Sequence, residues 1–210
     1  MARPTHRLHL SNDEAADELL SSNPFALLVG MVLDQQIPLE WAFTAPFLLA
    51  GRLGAPLEAH TVAETDPGEL SSIFAARPAL HRFPGSMAGR VHELARIVTE
   101  EYGGDPAAIW EGATDGRELL RRVKALPGFG EQKARIFVAL LGKQLGVRPT
   151  GWREASAPFG EEGSHLSIAD IDSPESLARV REHKREMKLA AKKAPEPRAR
   201  ARIRGGRSRP

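Results

Sequence analysis

The nine residues Leu126-Pro127-Gly128-Phe129-Gly130-Glu131-Gln132-Lys133-Ala134 carry the clearest chemical signal in this chain. Two glycines around one apolar residue let the backbone turn sharply and come close to a ligand, and a helix opening just after them leaves its first amides facing outward. Such amides meet phosphate oxygens and no base edge, so the chemistry implied is a grip on a nucleic-acid backbone that does not read sequence. A glycine-rich turn that merely joins two packed helices has the same spacing. A second candidate is Asp34-Gln35-Gln36, which follows the apolar run from Pro24 to Leu33. A carboxylate at the carboxyl end of a helix faces the negative end of the helix dipole, which hints at function, although a solvated aspartate reads the same way. Trp41 and Trp152 could stack on a base, a contact worth about 1–3 kcal/mol. Core packing is the default for either, and stacking is favoured only for Trp152. His81-Arg82-Phe83 forms a polar-aromatic cluster that suits a pocket wall or a surface loop equally.

These residues need helices to hold them, and helical punctuation recurs along the chain. Asn23 caps, and Pro24 opens, an apolar helix running to Gln36. Asp66-Pro67 opens a short helix to about Ala75, Ser86 to Tyr102 is amphipathic and closes on Gly103-Gly104, and Asp105-Pro106 opens another. Asp115 with Glu118 reads as a capping box for Gly116 to Ala125, the basic helix before the glycine turn, and Ile136 to Leu141 is the apolar helix after it. Gly146 to Ser167 is rich in Gly, Pro and Ser and reads as a long irregular connection. Strand signals are nearly absent, so the fold class expected is all-α. A helical bundle of about residues 21–102 and a hairpin region of 116–145 fall within residues 1–173. A charged helix follows over 174–193, and a basic tail over 194–210 is expected to be disordered.

Composition narrows the chemistry further. The chain has 210 residues, 41% of them hydrophobic, enough for a full-sized core. It has no cysteine, which excludes disulfides, a cysteine-ligated iron–sulfur cluster and a thiol nucleophile. Seven histidines show no ligand-like pairing, so neither a metal nor another cofactor is expected. No apolar run is long enough to span a bilayer, and the expectation is a monomeric cytoplasmic protein associated with the nucleoid. The net charge of +2 hides an asymmetry: the last thirty residues hold 12 of the 29 basic residues and 3 of the 27 acidic ones. Residues 117–153 carry nine basic residues and two acidic ones. A basic island on an acidic body suits a polyanion, and a set of solvated helix faces has the same composition.

Leu126 to Ala134 resembles the hairpin of the helix-hairpin-helix base-excision DNA glycosylases. Phe25 to Trp41, with its Gln35-Gln36 pair, is similar to their early buried helix, and Phe83 to Ala95 to the segment before the hairpin region. The likeness runs from about Ser21 to Glu154 and is closest to the small, cysteine-free bacterial members that lack the iron–sulfur cluster. It implies a two-lobed helical fold and an enzyme that flips a damaged base from double-stranded DNA and hydrolyses its N-glycosidic bond. Leu126, Gly128, Phe129, Gly130, Gln132 and Lys133 would bind the DNA backbone, Gln36 would stand in or near the gap left by the flipped nucleotide, and Asp34 and Trp152 would line the pocket. The lyase lysine of relatives falls on Gln132 here, while Lys133 is rotated from it by about 100° of helix, so no efficient lyase activity is expected. Glu154 falls where the family's catalytic aspartate stands, and Asp34, Asp170 and Asp172 are the alternative acids. A non-catalytic DNA-binding protein that keeps the hairpin is the rival reading.

Overall fold

The computed structural model describes residues 7–193. The basic tail of 194–210 lies outside the described residues. Among those described, the chain forms eleven α-helices and one 3-10 turn and no strand, which bears out the all-α expectation. No single helix among them is long and apolar enough to cross a membrane.

The first six helices pack on one another: α1 (Glu14–Ser22), α2 (Pro24–Leu33), α3 (Leu39–Leu53), α4 (Ala59–Glu64), α5 (Pro67–Ala75) and α6 (Pro84–Tyr102). Asn23 closes α1 and opens α2; its Oδ1 accepts from the amides of Phe25 and Ala26, while its Nδ2 donates to the Leu57 carbonyl. Phe25 to Leu33 are all buried, so α2 is the central element of this group. A side chain at Gly30 would meet the Phe43 ring at 2.7 Å, and this glycine is what lets α3 lie against α2. The helix expected over 24–36 stops at Leu33, because Asp34 leaves helical geometry (φ −70°, ψ 72°).

The second group is α7 (Ala108–Glu111), α8 (Gly116–Lys124), α9 (Glu131–Gln144), α10 (Trp152–Ser156), the 3-10 turn Ile168–Asp170 and α11 (Pro174–Lys193). Helices α8 and α9 pack together through the turn at 125–130. The stretch expected to be irregular between Gly146 and Ser167 contains α10, which packs on both of them. Asp115 caps α8 as anticipated, but the Glu118 carboxylate bonds the amide and hydroxyl of Thr114, so only half of the capping box forms. The buried apolar residues of both groups make one cluster, running from Leu8 to Val180.

Candidate functional site

Leu126 and Phe129 turn their side chains inward, 4% and 3% exposed, and Phe129 meets Phe137 edge to face. With these two anchored, the backbone between them is pushed outward. Gly128 adopts a φ of +80°, which strains any residue with a Cβ. Gly130 precedes α9 with no side chain to cap it, and among the described residues no acceptor takes the amides of Gly130, Glu131 or Gln132. All three residues are exposed. Leu126 and Phe129, expected at the DNA surface, are core side chains that fix the backbone between them.

The turn touches the carboxyl end of α2. A Cβ on Gly128 would sit 3.6 Å from a Val32 methyl. The Lys133 ammonium donates to the carbonyls of Met31 at 2.6 Å and Val32 at 3.4 Å, about a hundred residues away in sequence. Lys133, expected to contact the DNA backbone, is directed onto α2 instead; burial pushes it below the usual lysine range, the Asp34 charge works against that, and Arg90 adds to it. This contact also answers the puzzle of a carboxylate at a helix carboxyl end, since the ammonium supplies the positive charge that the dipole lacks.

The loop after α2 is held from three sides. The Gln35 side chain donates to the Val32 carbonyl at 2.7 Å and accepts from Arg90 at 3.0 Å. The buried His81 ring accepts the Phe83 amide at Nδ1 (3.0 Å), so its Nε2 carries the proton and donates to the Gln35 carbonyl at 2.9 Å. Gln36 is left exposed, at a φ of +57°. Trp41 donates its indole N–H to the Ala79 carbonyl at 3.2 Å, and Arg52 bonds the carbonyls of Ile73, Ala76 and Pro78, fixing the segment that carries His81.

Trp152 and Glu154 are on α10. Trp152 is 6% exposed and packs its ring on Gly142, about 16 Å of helix beyond Glu131, which removes it as a free stacking platform. Its face is taken by the Arg153 guanidinium at 4.7 Å. Glu154 is exposed on α10, and its carboxylate makes no hydrogen bond or ion pair among the described residues. Helix α10 starts against Gly116 and Gly142 at the far end of the α8–α9 pair, and just past it the Ala157 carbonyl accepts from Arg135, one turn into α9. Asp170 is bound by Lys143 at 2.5 Å and by the amides of Leu166 and Ser167, and is structural. Among the described residues no group of three His, Cys, Asp or Glu could hold a metal. A cavity of about 750 Å³ lies beside Lys143, His165 and Arg179, and the alternative acids Asp170 and Asp172 line it.

Sequence reasoning missed how the basic island is used. Arg122 bonds the Gly112 carbonyl and Glu118, Arg148 bonds the Gly142 carbonyl, and Lys133 and Lys143 are engaged as above. It also missed Glu131, which stands between Lys124 and Arg135; the signal available was an acid directly after a phosphate-type glycine turn. No family model, no curated protein and no solved structure matches this chain.

Proposed function

We propose that the chain binds the backbone of double-stranded DNA through the α8–α9 turn and acts as a monofunctional DNA glycosylase, with Asp34 rather than Glu154 as the acid. The observation that supports this reading is the contact between the glycine turn and the carboxyl end of α2, which sets the uncapped amides of Gly130, Glu131 and Gln132 beside the Asp34–Gln36 loop. The amides take a phosphate. Gln36, exposed on a clamped loop, enters the gap left by the everted nucleotide. The Asp34 carboxylate stabilises the cationic sugar and orients a water, whose oxygen bonds to the sugar carbon while the base departs with the bonding pair and a proton. Schiff-base chemistry at Lys133 is disfavoured, because its nitrogen is committed to the α2 carbonyls. The Glu154 carboxylate, with no hydrogen bond or ion pair among the described residues to fix it, favours a second reading, a DNA-backbone binder without catalysis.

The test is incubation with duplexes carrying deaminated, alkylated or oxidised bases, followed by hot alkali. Abasic product is expected with the wild type and Glu154→Gln, and its loss with Asp34→Asn at nearly unchanged affinity. Binding without product across the panel selects the second reading. Unchanged binding after Gly128→Val with Gly130→Val removes both.

A further inference from the structure

We infer that Glu131 is a resident counter-ion occupying the place of a backbone phosphate, and that Lys124 and Arg135 are the side chains that take the phosphate when DNA displaces it. The inference rests on the DNA-binding reading above and assigns the charges of that site.

Lys124 ends α8, Glu131 begins α9 and Arg135 follows one turn later, so the three surround the glycine turn. The Glu131 carboxylate is paired with the Lys124 ammonium and, at 2.8 Å, with the Arg135 Nε. It also stands at the first position of an uncapped helix, where the dipole is positive. An anion placed there has two cations and free amides around it, the environment a phosphate diester requires. Glu131 is already such an anion, and these cations hold its carboxyl below the ordinary range. The arrangement is exchangeable because all three side chains are substantially solvent-exposed, at 44%, 48% and 38% for Lys124, Glu131 and Arg135. Exposed pairs of this kind are weak and screened by salt. Arg135 keeps its place when the carboxylate leaves, since its Nη1 donates to the Ala157 carbonyl at 2.9 Å. Its fork then faces a phosphate without the cost of reorganisation.

A carboxylate that merely clamps the hairpin makes the opposite prediction, so one variant separates the two. Glu131→Gln is expected to raise affinity for an undamaged duplex by about three- to tenfold near 0.1 M salt and to steepen the log–log salt dependence by about one, read by fluorescence anisotropy. Glu131→Ala should give the same gain, and circular dichroism should report an unchanged fold. Adding Lys124→Ala or Arg135→Ala to Glu131→Gln should cancel the gain. Unchanged or weaker binding by Glu131→Gln overturns the inference, as does a gain that survives intact in both double variants, which would be simple charge repulsion. If the valine pair at Gly128 and Gly130 weakens binding while Glu131→Gln does not strengthen it, only the counter-ion role falls. If the valine pair changes nothing, the DNA-binding reading falls with it.

Discussion

At one end of the α8–α9 pair the glycines stand in the open. A Cβ on Gly130 would meet nothing within 4 Å, and one on Gly128 only the Val32 methyls. At the other end, a Cβ on Gly116 would lie 2.5 Å from the Gly151 carbonyl oxygen, and one on Gly142 2.3 Å from the Trp152 ring. The same residue type serves opposite purposes. At the far end glycine permits close packing, with the Gly116 amide donating to the Thr150 carbonyl at 2.8 Å and α10 pressed onto both helices. At the hairpin end it leaves amides exposed and lets the turn reach the end of α2. The far end is tightly packed, and the hairpin end keeps backbone amides without an acceptor among the described residues.

The largest test of this contrast is therefore on stability. Gly142→Ala or Gly116→Ala should lower the unfolding free energy by about 3 kcal/mol, because a rigid ring or a backbone must move. Gly130→Ala should change it by less than about 0.5 kcal/mol. Urea unfolding measures both, and equal losses at the two ends would erase the distinction.

A smaller effect is expected at Lys133, the link from the hairpin end to α2. Its folded value lies below the unfolded 10.5, so within that window the unfolded chain binds more protons. Stability from this group is complete above 10.5 and declines as pH falls through the lowered value. Lys133→Met should flatten the rise in melting temperature between neutral and alkaline pH, and an identical slope would mean that the ammonium is not desolvated.

The smallest effect belongs to the opposite end, at the start of α8. The Thr114 hydroxyl and amide, with Arg122, hold Glu118 at about 2 against an ordinary 4.5. Its contribution is complete above pH 4.5 and is lost as pH falls towards about 2. Glu118→Gln should lower stability near neutrality and make its loss with acid shallower over that range, so that variant and wild type converge towards pH 2.

Helix ends with local chemistry were legible from sequence: Asn23-Pro24, Asp66-Pro67, Asp115 and the Gly103-Gly104 stop all stand where their short-range hydrogen bonds or backbone freedom put them. Helix α3, with Pro46 inside it and no side-chain cap, gave no such signal. Helix α10 follows a glycine in the left-handed region and has no cap of its own; packing on α8 and α9 holds it. For the site, the glycine turn and the Asp34–Gln36 loop could be picked out separately. That they meet could not, because the contact is made by Lys133 across about a hundred residues.

By itself the sequence determined that this chain is helical, that a tight turn falls at Gly128 and Gly130, and that positive charge is dense around it, since each follows from propensity, backbone freedom or composition over a few residues. Only the tertiary structure decided that Lys133 serves α2, that Trp152 fills the space over Gly142, and that the end of α2, with Asp34 just after it, meets the turn. Those outcomes depend on which surfaces pack, and packing joins residues whose separation along the chain carries no local signal.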